Sequence, residues 1–192
     1  GSTDGSAAIA DSYARLDVRV RTIHKPNGGA STARNVGLAA ATGQFIGFVD
    51  SDDWVVDTMF EKLWSAAHES GADVTMCDYL KSTSEGQKAM SSDLVGGTFD
   101  RSQIEEVFFP NAIMDEQLEG PVVLSVCRCL YRRDFLCSNA ISFDEHAKHG
   151  EDYLFSLSVI LRTRNFIYLK NQFLYLYRTN PDSTSQTMKT DL

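Results

Sequence analysis

The chain has 192 residues and a hydrophobic content of 43%, enough for one domain, with or without an appended lobe, built on a substantial core. Its formal net charge of −8 excludes a global nucleic-acid footprint. No apolar run reaches the length of a membrane span, and no charged segment followed by an apolar core opens the chain.

The opening stretch "GSTDGSAAIADSYA" reads as a polar turn and a short helix, with Ser2, Thr3 or Asp4 available as cap. Residues 18–24, "VRVRTIH", alternate apolar and basic side chains as a half-exposed strand does. The turn "PNGG" follows, then a small-residue helix, "ASTARNVGLAAATG", with Gly43 as its stop. "FIGFV" is a buried strand, "DTMFEKLWSAAHESG" an amphipathic helix stopped by Gly71, and "ADVTMCDYL" a further strand. The alternation predicts an α/β fold whose sheet is mainly parallel and doubly wound, with residues 18–24, 45–49 and 72–80 as its parallel strands.

Beyond Leu80 the pattern changes. "KSTSEGQKAMSSD" is polar and loop-like, and "RSQIEEVFF" is a helix capped by Asp100. "GPVVLSVCRCLY" is a strand with an irregular lead-in, and "RRDFLCSN" a short helix. "ISFDEHAKHGED" is a polar loop holding His146 and His149, both read as solvated rather than as ligands. "DYLFSLSVILRT" is a buried helix, "NFIYL" and "FLYLYR" are two late strands, and the tail is polar and frayed. The four cysteines are Cys77, Cys127, Cys129 and Cys137. Cys127 and Cys129 sit two apart in a strand pattern, which puts both on one face, as buried thiols rather than metal ligands. Free thiols of this kind fit a reducing cytosol.

Three constellations carry chemistry. The first is "FIGFVDSDDW", a strand that ends on Asp50, Asp52 and Asp53. Like charges this close repel, and burial strengthens the repulsion, so a metal ion, a proton or solvent must offset it. Carboxylates at the C-terminal end of an α/β strand suit Mg²⁺ or Mn²⁺ with substrate phosphates completing the shell. A solvated acidic turn capping the next helix fits the same four residues. An EF-hand loop does not: Trp54 and Val55 occupy the positions that need an acid and a glycine, despite Glu61 at the twelfth. The second constellation is Asn27, Gly28, Gly29 and Arg34, a glycine turn leading into a helix whose N–H groups and guanidinium could meet a phosphate, or a plain helix start. The third is Glu151 and Asp152 at the start of an apolar helix, either dipole partners or a general base.

Taken in this order, "GSTDGS", "NGGASTARNVGLAAATGQFIGFVDSDDW" and "GEDYLF" resemble the family 2 glycosyltransferases. "SVCRCLYRRDFL", "ISFDE" and "FLYLYRTNPDSTSQ" resemble later landmarks of bacterial members. The resemblance implies the Rossmann-like GT-A fold of nucleotide-diphospho-sugar transferases, with residues 1–80 as the nucleotide-sugar half and residues 81–192 as the acceptor side of a single domain. It implies Asp52 and Asp50 as ligands of Mn²⁺ or Mg²⁺, with Asp50 close to the ribose and Asp53 in support. It places Asn27, Gly28, Gly29, Arg34 and Arg178 near the donor, with Arg178 and residues 183–185 folding over it. It implies Asp152 as catalytic base with Glu151 beside it, in an inverting transfer from a nucleotide-diphospho-sugar, a UDP-sugar above all, to a glycan or lipid-linked acceptor. The setting it implies is bacterial cell-surface polysaccharide synthesis in the cytoplasm, with or without peripheral attachment to the inner membrane face.

Two features depart from the family pattern. The family's first strand, first helix and a strand ending in Asp-Asp normally precede "GSTDGS", so the chain resembles an N-terminally truncated piece. Self-association through an exposed sheet edge and little activity are expected of it. Cys127-Arg128-Cys129 also stands where many members read Trp-Asn-Lys. The competing readings are a non-catalytic module of the same fold and, through the Asp-x-Asp alone, a phosphatase of the haloacid dehalogenase type.

Overall fold

The computed structural model describes residues 1–109, 125–147 and 149–179. In chain order they form α1 (Ser6–Leu16), α2 (Gly29–Ala40), β1 (Phe45–Gly47), β2 (Trp54–Val55), α3 (Met59–Ser70), β3 (Val74–Thr83), β4 (Gly86–Met90), β5 (Gly97–Phe99) and α4 (Arg101–Val107). A 3₁₀ turn (Val126–Arg128) then leads into β6 (Cys129–Arg132), α5 (Arg133–Ser138), α6 (Glu151–Ile160) and β7 (Phe166–Arg178).

The helices form where periodicity and caps place them. Met59, Leu63 and Ala67 recur every fourth residue along α3 and are fully buried. Gly71 ends that helix with φ of +70°, a conformation that costs an L side chain energy, and the Ala72 N–H returns to the Ala67 carbonyl. At α4, the Asp100 carboxylate accepts the Gln103 N–H while the Gln103 side chain accepts the Asp100 N–H. Such a reciprocal cap stabilises a helix by about 1 kcal/mol. The Asp4 carboxylate accepts the Ser6 N–H at the start of α1. Gly43 is not a stop, because α2 ends at Ala40 and Ala41 is already extended.

One mixed sheet has the strand order β1-β6-β3-β7-β2, with β4 added to β3 and β5 to β7. Val74, Met76, Cys129 and Tyr131 face a core shared with α4, α5 and α6, while Cys77 and Leu130 face Met59 and Leu63 of α3. The sheet is thus covered on both faces, as the α/β pattern predicts.

Its pairing differs from the expected one. Five of the six pairings among described residues are antiparallel, and only β3 with β7 is parallel. β1 and β3 do run in the same direction, but β6 lies between them and is antiparallel to both. Residues 18–24 form no strand: Val18 is 96% exposed, and the backbone there pairs with no described strand. Alternation alone does not hold an extended segment without a neighbouring ladder.

The polar stretch after Leu80 is a hairpin rather than a loop, with β3 extending to Thr83 and pairing with β4 from Tyr79↔Met90 to Thr83↔Gly86. Most of this ribbon is exposed, so no apolar period marked it. The two late strands are one strand, β7, whose register against β3 jumps between Leu169 and Phe173. The fully buried Asp78 stabilises that irregularity by accepting the Asn171 N–H, the Ser91 hydroxyl and the Tyr168 hydroxyl. Cys127 and Cys129 do not share a face: the first lies in the 3₁₀ turn on the α3 side, the second in β6 on the other. The tail expected to fray, beyond Thr179, and the lead-in before Ser125 lie outside the described residues.

Candidate active site

Arg34 projects from α2 into a cluster of acids drawn from two distant segments. Its Nη2 donates to Asp50 Oδ1 at 2.9 Å, and its Nη1 donates to Asp152 Oδ1 at 2.7 Å and to Glu151 Oε1 at 3.3 Å. Only 14% of the Arg34 side chain is exposed. Burial opposes its charge, but Asp152 and Asp50 more than offset that and hold the guanidinium above its ordinary value.

Asp152 and Glu151 reach this position because Gly150, at φ of +74°, turns the chain into α6. A side chain there would be strained. The two acids then occupy the positive end of an otherwise apolar helix. Burial pushes the Asp152 carboxyl up to about 6; Arg34 pulls the other way, and the neighbouring charges of Glu151 and Asp50 add to the rise.

The loop before α6 is fixed by a residue the sequence reading passed over. Asn35 accepts the Phe143 N–H and donates to the Phe143 carbonyl, both at 2.9 Å, and also donates to Glu145. Phe143 lies beneath the Arg34 guanidinium at 5.3 Å and stacks on Phe155 of α6 with ring centroids 4.1 Å apart. The signal was an amide in the interior of a helix of small residues, where it disfavours the helix unless it bonds elsewhere.

The acidic turn after β1 is tied to β7. The Asp53 N–H donates to the Asp50 carbonyl, and the Asp53 carboxylate accepts the Tyr175 hydroxyl and the Arg178 N–H. Burial raises the Asp53 carboxyl above its ordinary value, and the bonds from Tyr175 and Arg178 only partly counter it. The Tyr175 hydroxyl also accepts the Asp50 N–H at 3.4 Å. The Cys127 thiol lies against Asp50 and Tyr175; burial, then the Asp50 charge, pushes it well up and keeps it protonated. Tyr175 did not stand out in sequence, where it looked like a core residue, and Cys127 was read there only as a buried thiol and as a departure from the family pattern.

Other candidates are placed elsewhere. Asn27 accepts the Gly29 N–H through its side chain at 3.1 Å and shapes the turn into α2, with Gly28 and Gly29 exposed. The Arg178 guanidinium lies over the exposed Trp54 ring at 5.7 Å rather than among the carboxylates. Residues 183–185 lie outside the described residues.

Asp52 is half-buried and makes no hydrogen bond or ion pair among the described residues. Among those residues, no group of three or more His, Cys, Asp or Glu side chains is gathered for a metal ion. The available donors are therefore Asp52 and the oxygen of Asp50 not taken by Arg34. One or two carboxylates fit a hard cation whose shell is completed by phosphate oxygens.

In this α/β fold a turn of acids at the end of a strand is thus joined through a basic helix residue to two helix-start carboxylates. The chain belongs to glycosyl transferase family 2, whose model matches residues 1–137. It is 36% identical over 190 residues to the uncharacterized glycosyltransferase EpsJ of Bacillus subtilis, covering 97% of this chain and 52% of that protein. It is 32% identical to glycosyltransferase GlyG of Streptococcus pneumoniae, covering 97% of this chain and 61% of that one. It therefore spans about half the length of the curated relatives it matches. Its fold matches that of Staphylococcus aureus TarS 1–349 in complex with UDP-GlcNAc, with a TM-score of 0.72 at 22% identity over 95% of this chain and 48% of that one. Family membership overturns the phosphatase alternative, whose nucleophile would be Asp50, here held by Arg34. Among the described residues, no helix is long and apolar enough to cross a membrane.

Proposed function

We propose that this chain carries the donor site and the catalytic base of an inverting glycosyltransferase, which moves a sugar from a nucleotide-diphospho-sugar to an acceptor hydroxyl in bacterial cell-surface glycan synthesis. The observation that carries the reading is the Arg34 cluster, in which one cation gathers Asp50, Glu151 and Asp152. Residues 1–80 supply the donor half, and residues 81–192 the acceptor side.

Asp152 is the base. It is partly exposed, and its carboxyl at about 6 is ionised at neutral pH yet basic enough to take a proton from an approaching hydroxyl. Glu151 adds negative charge beside it, and Arg34 fixes its direction. Arg34 is the cation nearest these acids and can turn a donor toward the diphosphate that enters beside Asp50. Asn27, Gly28 and Gly29 present the start of α2, and Arg178 closes on the donor from β7. Mn²⁺ or Mg²⁺ held by Asp52 and Asp50 would supply Lewis-acid stabilisation of the charge that builds on the departing diphosphate.

A UDP-sugar is the favoured donor, because TarS is described in complex with UDP-GlcNAc. A glycan or lipid-linked acceptor is favoured because relatives include the poly(ribitol-phosphate) β-N-acetylglucosaminyltransferase TarP of S. aureus and the minor teichoic acid biosynthesis protein GgaB of B. subtilis. Such acceptors and the free thiols fit work in the cytoplasm at the inner face of the membrane.

The test is thermal unfolding of the protein at its natural length with Mn²⁺, UDP, or both. Stabilisation that requires both supports a metal–diphosphate site. Stabilisation by neither, alone or together, would overturn the reading. Binding without sugar transfer to any acceptor would instead indicate a non-catalytic module.

A further inference from the structure

We propose that Tyr175 is a positioning residue for the acidic turn, its hydroxyl pinning Asp50 and Asp53 to β7 and so setting the carboxylates that meet the donor's metal–diphosphate. This inference rests on the transferase reading above.

The geometry is a closed ring of three hydrogen bonds. Asp53 N–H donates to the Asp50 carbonyl at 3.1 Å, Asp50 N–H donates to the Tyr175 hydroxyl at 3.4 Å, and that hydroxyl donates to the Asp53 carboxylate. A phenol has one proton to give and lone pairs to receive, and here both capacities are used on the same turn. The Tyr175 residue is only 3% exposed, so no water competes freely for these bonds. Arg34 holds the Asp50 carboxylate from α2, and Tyr175 holds the Asp50 backbone from β7. Asp50 is therefore fixed at two points, and Asp52 is carried between two fixed neighbours, itself free of partners among the described residues.

Position and fold are separable here. Val55 pairs with Tyr175, and Trp54 with Leu176, through the backbone, so the end of the turn remains attached to β7 without the hydroxyl. Tyr175 belongs to the buried cluster that includes Leu174, Leu130 and Met59, and a phenylalanine ring keeps that place. Tyr175→Phe thus removes the two bonds to the turn and leaves the ladder and the core. Asp53→Ala breaks the same link from the other end, together with the bond from the Arg178 N–H, and leaves the tyrosine ring in place.

The experiment measures UDP affinity calorimetrically in saturating Mn²⁺ and again in chelator, for the protein at its natural length and for Tyr175→Phe, Asp53→Ala and the double variant. Tyr175→Phe should weaken the Mn²⁺-dependent affinity about tenfold, within the scale of the two net hydrogen bonds it removes, and leave the chelator value unchanged. Asp53→Ala should show the same selective loss, and the double variant should lose no more than the weaker single one, because both act through one link. An unchanged Mn²⁺-dependent affinity in both single variants, or an equal loss with and without metal, overturns the proposal. Asp52→Asn is the control for the reading beneath it. If the unsubstituted protein shows no metal-dependent binding, or Asp52→Asn keeps it in full, the metal–diphosphate site itself is wrong and the role of Tyr175 falls with it.

Discussion

Arg34 and Asp152 lie 118 residues apart in sequence and meet in a 2.7 Å ion pair. That contact joins the small-residue helix α2 to the start of α6, and it opposes the rise that burial gives the proton affinity of the candidate base. Burial alone would leave Asp152 a poor carboxylate, and Arg34 restrains that rise. In the free enzyme, kcat/KM should therefore fall as pH drops through about 6. Arg34→Gln removes the restraining charge, so the acid limb should move to higher pH. A pH–rate profile measures this, and an unmoved limb would show that Arg34 does not tune Asp152.

Asp152→Asn should cut turnover by about 10²-fold or more while leaving donor affinity nearly unchanged, the pattern of a group needed for proton transfer and not for binding. Steady-state kinetics beside UDP titration decides it. Near-normal turnover would make Asp152 only a helix-start acid, and Glu151 would be the next residue to substitute.

The same carboxyl carries a stability signature of opposite sign. Asp152 titrates at about 6 in the fold against a reference value of 3.8, so the folded state holds its proton more tightly. The resulting stabilisation is full below the reference value and lost as pH rises through about 6. Asp152→Asn, permanently neutral, should raise the unfolding temperature at pH 8, with most of the gain gone by pH 4. A gain that persists unchanged at pH 4 would assign it to packing instead.

The four thiols should divide by burial. Cys77, Cys127 and Cys129 are buried, and burial pushes Cys77 up to about 12 and Cys129 up to about 11. Cys137 is exposed. Alkylation of the folded protein at pH 8 should modify Cys137 rapidly and the other three only on unfolding. Mass spectrometry of the peptides reads the outcome, and fast labelling of Cys127 would show that solvent reaches the back of Asp50.

Self-association of the 192-residue chain is expected from two exposed features. Among the described residues, β1 is the end strand of the sheet order and pairs on one side with β6. α1 buries none of its residues and exposes Ile9, Tyr13 and Leu16, the last at 82%. Open edges and apolar faces of this kind favour association. Light scattering across a concentration series should show mass above the monomer, and a monomer at every concentration would contradict it.

The sequence by itself determined what depends on neighbours a few residues away. The four-residue spacing of Met59, Leu63 and Ala67 made α3, Gly71 ended it, Asp100 and Gln103 capped α4, and apolar side chains on both faces made β3 a central strand. The candidate acids, Arg34 and the start of α6 were legible for the same reason: each is a local break in an otherwise apolar or small-residue pattern. Tertiary structure alone decided which of these met. It inserted β6 between β1 and β3, left residues 18–24 without a ladder, separated Cys127 from Cys129, and brought Tyr175 to Asp50 and Asp53. Periodicity reports which face of a segment is apolar. The partner that covers that face, or completes its hydrogen bonds, is chosen by backbone and side-chain contacts between segments far apart in the chain, and no local pattern encodes that choice.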